Sequence, residues 1–235
     1  MKLLFGSLLV TAAIIIGALF LLTGDKNTET KKPVILDPST YVRDAGYNVT
    51  GSQSPSVLIV EFADFECPAC ALAAPVLKQA VEAYPDDVTL MYRYFPLAQH
   101  PNAREAAAAA EAAGRQGKFW EMYDLLFENQ KDLKSDIYVD FATQLGLDID
   151  QFKADMESDE VKAVIQADVD AGLAINISST PTLIVNGEMI TGAPDYNGLV
   201  TYIEQMRSAQ QQVMDQQATD AAEPVEATPS EVLSE

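Results

Sequence analysis

Apolar and polar positions change period several times along the chain, and each change marks a predicted element. Residues 3–22 are apolar apart from Gly6, Ser7, Thr11 and Gly17. At ~1.5 Å per helical residue this run reaches across a ~30 Å hydrocarbon core. Residues 25–53 are rich in Lys, Thr, Pro, Ser and Gly and read as a linker, with Tyr41 and Val42 offering only a weak edge-strand signal. Continuous apolar character returns at 57–62, Val-Leu-Ile-Val-Glu-Phe, which suits a strand covered on both faces. Leu72, Val76, Leu77 and Val81 then share one face of a helix that Pro75 is expected to kink. Residues 88–94 read as a second strand.

From about 101 to 177 the pattern is helical: an Ala-rich stretch at 106–113, then 119–127, 135–145, and 148 to about 174, punctuated by Gly114, Gly117 and Gly146. Strand character resumes at 182–185, and Asn186-Gly187 is a two-residue hairpin signal leading into 188–190. A last helix is expected from about 195 to 208. A strand-helix-strand half and a strand-strand-helix half can share one mixed sheet, with the helical block inserted between them. The expected division is a membrane anchor or uncleaved signal at 1–24, a linker at 25–53, an α/β domain at 54–209 with a helical insertion at about 98–177, and an acidic disordered tail at 210–235.

Composition narrows the function. With 235 residues and 48% apolar content the chain can bury a core of good size. A net charge of −20, with no basic stripe to offset it, argues against a nucleic-acid partner. No Ala-x-Ala-like cleavage site follows residue 22, which favours an uncleaved anchor. Lys2 precedes that span while Lys26, Lys31 and Lys32 follow it, so charge counting does not put the following domain outside. The chemistry of the two cysteines does, because a disulfide-making couple belongs in an oxidising compartment.

Both cysteines lie in Cys67-Pro68-Ala69-Cys70, between the 57–62 strand and the start of a helix. A thiol at a helix N-terminus is exposed to the positive end of the dipole, which favours its thiolate. The alternatives are a structural disulfide, which stabilises least when its loop is short, and half of a metal site. Zinc needs about four ligands, and His100 is the only histidine. Disulfide exchange leads, with copper or zinc handling and a peptide-binding holdase on the same scaffold left open. Cys67→Ser separates the holdase from the exchanger. His100 itself reads as a capping or packing residue, and Trp120 with Phe119 and Tyr123 as core of the helical block.

Four segments in order carry a resemblance: residues 60–70 ending in Cys67-Pro68-Ala69-Cys70, Arg93-Tyr94-Phe95-Pro96-Leu97 with His100-Pro101, Gly117-Lys118-Phe119-Trp120-Glu121 through Leu126-Phe127, and Ser179-Thr180-Pro181-Thr182 before a strand. Over roughly residues 54–206 the chain resembles the DsbA-like thiol-disulfide oxidoreductases of the thioredoxin superfamily. The resemblance implies a thioredoxin-like fold and no cofactor. It makes Cys67 the exposed nucleophile, Cys70 the buried resolving thiol and Glu61 a buried acid that accepts the Cys70 proton. Pro181 matches a cis-proline beside the disulfide, and Thr180 would present its backbone to a bound peptide. Cysteine-containing proteins are the implied substrates, and a membrane redox partner restores the couple. The oxidising direction is expected, with a reductase or isomerase of the same fold as the alternative. Ala69, where strongly oxidising relatives often carry histidine, and the nearby Asp64 and Glu66 point to a milder oxidant.

Overall fold

The computed structural model describes residues 35–43 and 46–222. Its centre is a five-stranded sheet in the order β1 (Val49–Gly51), β3 (Val88–Tyr94), β2 (Val57–Ala63), β4 (Thr182–Val185) and β5 (Glu188–Thr191). Only β2 and β3 run parallel, joined by helix α1 (Pro68–Ala83), and the other pairings are antiparallel. Successive side chains of a strand point to opposite faces, and β2 follows this rule. Val57 and Ile59 pack with α1 residues Ala73, Leu77 and Ala80, and with Leu199 and Ile203 of the last helix, α7 (Tyr196–Ala222). Val60 and Phe62 pack on the other face with Met91, Phe95, Ile175, Ile177 and Tyr41. The central strand is therefore apolar on both faces, which is why its sequence shows a run rather than an alternation.

The insertion between β3 and β4 holds α2 (Ala103–Arg115), α3 (Phe119–Glu128), α4 (Ser135–Gln144), α5 (Ile149–Glu157) and α6 (Asp159–Ala174). Helix α2 packs against α3, α5 and α6 and is buried from Ala106 to Gly114. Alanine suits both demands: it has the highest helix propensity and lets neighbouring helices approach closely. The single helix expected over 148–174 is two, because Ser158 adopts an extended conformation and its Oγ accepts from Val161 N at 3.2 Å, starting α6 anew.

Asp168 of α6 ties the insertion to the sheet. Its carboxylate accepts from Arg93 Nε at 2.6 Å, from Tyr94 N at 2.9 Å and from Arg43. Burial pushes the Asp168 pKa up against the pull of the two arginines, and the same burial pushes that of Arg93 down.

Two expected boundaries are corrected. The linker does not last to residue 53. Leu36 N donates to Gly187 O at 2.9 Å, Tyr41 is 2% exposed, Asn48 Nδ2 donates to Tyr92 O at 2.6 Å, and β1 pairs with β3. Tyr41 and Val42 form no strand; Tyr41 follows a 3-10 turn, Pro38–Thr40, and fills the core. A three-residue strand such as Val-Thr-Gly has no periodicity to read, and only its pairing with β3 defines it. At the other end, α7 continues through Gln210-Gln211-Gln212 to Ala222. Gln, Met and Ala are good helix formers, and Gln211 bonds Asp215 one turn on. Among the described residues no helix is long and apolar enough to cross a membrane, and the apolar run at 3–22 lies outside them, as does the acidic end from residue 223.

Candidate active site

Helix α1 starts at the cysteines because Pro68 occupies its first position, where no hydrogen bond is lost and φ is already helical. Cys67 is the N-cap, with φ −77° and ψ 119°, and its carbonyl accepts from Cys70 N at 3.0 Å and Ala71 N at 3.2 Å. Its thiol thus sits where the first helical N–H groups have no internal partner. The two thiols are not bonded to each other. Cys70 is fully buried, and Cys67, expected to be exposed, keeps 7% of its surface accessible. The loop before β4 covers it: the Thr180–Pro181 peptide is cis, and Cys67 Sγ donates to the Thr180 carbonyl oxygen at 3.3 Å. Gly192 N donating to Pro181 O and Thr182 Oγ1 donating to Ser179 O, both at 2.8 Å, hold that loop.

These surroundings separate the two thiols chemically. The Cys70 thiol foremost, with the Thr180 side chain and the N–H groups of Cys70 and Ala69, lowers the Cys67 pKa to about 5 against the cost of burial. Burial, the hydrogen bond to Cys67 and the nearby Glu61 charge push Cys70 far above the ordinary thiol range. At neutral pH one thiol is held toward its thiolate and the other toward its protonated form.

Glu61 is the polar interruption in β2, opposite Tyr92 on β3 and Leu183 on β4. Its side chain is fully buried, Oε1 has no hydrogen-bond partner among the described residues, and Oε2 accepts from the Tyr123 hydroxyl at 3.2 Å. Burial raises its pKa to about 8, against the opposing Tyr123 hydrogen bond. A carboxyl held there can exchange a proton near neutral pH. The structure thus brings Cys67, Cys70, Thr180, Pro181 and Glu61 to the ends of β2, α1 and β4.

Two residues of the site were missed in the sequence. Tyr123 was read as core, and its ring does pack with Phe65, Tyr92, Trp120 and Phe127. Its hydroxyl contact to Glu61, 62 residues away, left no local signal. Gln130 donates from Nε2 to the carbonyls of Phe65 and Cys67 at 2.8 and 2.9 Å, bracing the backbone before the motif. Asp64 and Glu66, expected to oppose the Cys67 thiolate, are committed elsewhere. Asp64 accepts from Glu66 N, Leu97 N and His100 Nδ1, and Glu66 accepts from the Asn102 side chain and backbone. His100 thus acts as a loop clamp. Among the described residues no group of three or more His, Cys, Asp or Glu side chains gathers as a metal-ligand set.

Comparison with known proteins agrees with this geometry. A family model described as thioredoxin matches residues 45–205. A thioredoxin-like oxidoreductase from Silicibacter pomeroyi is 28% identical, with a TM-score of 0.61 over 71% of this chain and 98% of that one. The thiol-disulfide exchange protein alpha-DsbA2 from Wolbachia pipientis shares the fold at 20% identity, with a TM-score of 0.66 over 72% of this chain and 91% of that one. A relative of different name, Na(+)/H(+) antiporter NhaA 3 of Salinispora tropica, is 41% identical over 141 residues, which are 60% of this chain and 22% of that protein. The chain therefore spans about a fifth of that relative's length, and the likeness concerns one segment of it. From β2 with its buried acid to the cis-proline loop before β4, and across the inserted helices, the chain belongs to the thioredoxin family, with the architecture of its DsbA-like thiol-disulfide oxidoreductases.

Proposed function

We propose that the chain is an extracytoplasmic thiol-disulfide oxidoreductase that forms disulfides in cysteine-containing proteins through Cys67 and Cys70. The observation that carries this reading is the contrast between the thiols: a Cys67 thiolate favoured by its neighbours, beside a fully buried Cys70 that keeps its proton. Stabilising the reduced form of a couple makes its disulfide the better oxidant.

A substrate thiolate attacks Cys67 Sγ of the Cys67–Cys70 disulfide. The sulfur–sulfur bond breaks, a mixed disulfide forms, and Cys70 leaves as a thiolate that takes a proton from Glu61. A second substrate thiolate attacks the substrate sulfur of the mixed disulfide and expels Cys67 as its stabilised thiolate. Two electrons pass from the substrate dithiol to the protein. A membrane redox partner then removes them, and in that half-reaction Cys70 returns its proton to Glu61. The Thr180 carbonyl beside Cys67 is placed to pair with the backbone of a bound extended peptide. In this reading residues 1–24 hold the domain at the membrane, and the domain itself starts by about residue 35 rather than 54.

The test is disulfide transfer. The full chain in its disulfide form is mixed with a reduced, unfolded substrate protein, and thiols are trapped over time. The reading predicts oxidation of substrate cysteines matched by reduction of the Cys67–Cys70 pair, and none with Cys67→Ser. Transfer that survives Cys67→Ser, or that never occurs, overturns it.

A further inference from the structure

Asp64 stands between the end of β2 and the start of α1, and its backbone meets both cysteines. Its carbonyl oxygen accepts from Cys67 N at 3.0 Å. Its N–H bonds the Cys70 sulfur and draws that thiol's pKa down, against the larger upward push of burial. The fully buried Asp64 side chain holds this stretch of backbone in place. Its Oδ1 closes the turn by accepting from Glu66 N at 2.7 Å. Its Oδ2 accepts from Leu97 N and from His100 Nδ1, each at 2.7 Å. A carboxylate has no proton to give, so Nδ1 is the protonated nitrogen of the His100 ring. Leu97 and His100 share one turn between β3 and α2, in which His100 N donates to Leu97 O at 3.0 Å and Ala103 N to His100 O at 3.3 Å. Two residues on, Asn102 Nδ2 donates to Glu66 Oε1 at 2.8 Å. Segment 97–102 therefore grips the turn before the cysteines at two points, and His100 supplies a side-chain donor to the first.

We propose that His100 is a positioning residue for Cys70: by holding the Asp64 carboxylate, it keeps the Asp64 N–H aimed at the Cys70 sulfur in the steps where that sulfur becomes a thiolate. The inference rests on the reading of Cys67 and Cys70 as the exchanging pair. When a thiolate attacks Cys67 Sγ of the disulfide, a new sulfur–sulfur bond forms there. The Cys67–Cys70 bond breaks, and its electron pair leaves on Cys70, where the Asp64 N–H meets the charge before a proton arrives. In the return step the Cys70 thiolate attacks Cys67 Sγ of the mixed disulfide and the partner thiolate leaves, with the same N–H facing the attacking sulfur. At rest the reduced Cys70 keeps its proton. A hydrogen bond to a neutral thiol is much weaker than one to a thiolate. The clamp therefore acts on the rates of opening and closing the disulfide and leaves their ratio nearly unchanged.

The test compares wild type, His100→Leu and His100→Asn in the full chain. In Asn, Nδ2 stands as far along the side chain as Nδ1 does in His, so that variant restores the donor. The reduced protein is mixed with glutathione disulfide, and the lifetime of the Cys67–glutathione mixed disulfide is followed by acid quench. The oxidised protein is mixed with reduced glutathione to time the opening of the disulfide. His100→Leu is expected to slow both steps by the same factor, about fivefold or more, as a misaligned hydrogen bond to a charged sulfur implies. The equilibrium constant with glutathione, and alkylation of Cys67 by iodoacetamide, should each change by less than about twofold, because neither depends on a Cys70 thiolate. His100→Asn should recover most of the lost rate. If wild type forms no mixed disulfide that Cys70 resolves, the exchanging-pair reading falls and this inference with it. If resolution is normal in wild type and His100→Leu loses Tm but keeps both rates, His100 only supports the fold and the inference is overturned. It is overturned as well if the equilibrium constant or the alkylation rate moves as far as resolution does, or if His100→Asn stays as slow as His100→Leu. Should His100→Leu fail to fold, His100→Ala, which removes the donor without adding apolar bulk, is read in the same way.

Discussion

Cys67 Sγ lies 3.3 Å from the carbonyl oxygen of Thr180, a residue 113 positions along the chain. The contact joins the start of α1 to the loop before β4, and it puts the Cys67 thiol beside a backbone acceptor. Thiol, Thr180 carbonyl and buried acid come together because β4 pairs with β2.

The first prediction concerns Cys67. Thiolate absorbance in the reduced protein is expected to titrate with a midpoint at about 5 and to vanish in Cys67→Ala. The sign for stability follows. A thiol whose pKa is lower in the folded state contributes stability that is present above the ordinary thiol pKa and lost as pH falls toward about 5. The urea midpoint of the reduced wild type relative to Cys67→Ala should therefore rise between pH 5 and 8.5. A flat difference contradicts the prediction.

Glu61 has the opposite sign. Its folded-state pKa is raised to about 8, so the folded state holds more protons than the unfolded one between the ordinary carboxyl range and pH 8. Stability is lost as pH rises through that window. Glu61→Gln should therefore leave Tm nearly unchanged at pH 4 and raise it by about 4 °C or more at pH 8.5. Equal Tm shifts at both pH values would show that the carboxyl does not titrate in this range.

Asp168 tests the seam between sheet and insertion. Asp168→Ala leaves Arg93 buried without its partner and should cost about 3–5 kcal/mol by urea unfolding. Asp168→Asn, which keeps acceptor capacity for Tyr94 N, should cost less. The reverse order would mean that shape rather than charge matters there.

Gly114 lies in α2, where a Cβ would stand 2.2 Å from the Tyr47 ring. Gly114→Ala raises helix propensity yet should destabilise by about 1–3 kcal/mol, since Tyr47 must give way and with it the hydrogen bond to Glu111. A gain in Tm would show that Tyr47 moves freely.

Most of this architecture was legible in the sequence because its central elements are long or strongly patterned. Strand β3 at 88–94 and strand β4 at 182–185 read directly from apolar runs, and the hairpin turn from Asn186-Gly187. The parts that were not legible depend on distant partners. Strand β1 exists only through β3, the break at Ser158 depends on one side-chain cap, and α7 persists past Ala209 through residues 210–216 that are all exposed. In the site, Cys67, Cys70, Glu61, Thr180 and Pro181 stood out by spacing and by resemblance. Tyr123 did not, because a hydroxyl among core aromatics looks the same in sequence whether or not it meets a buried carboxyl.

The central claim is that Cys67 and Cys70 form a reversible, oxidising couple. The measurement that tests it most directly is their redox equilibrium in glutathione buffers, with thiol trapping of the full chain. A two-electron transition at about −120 to −180 mV, the range of protein-oxidising thiol enzymes, is the result expected. A potential near −270 mV would contradict the oxidising direction, and no reversible transition between these two thiols would contradict disulfide exchange itself.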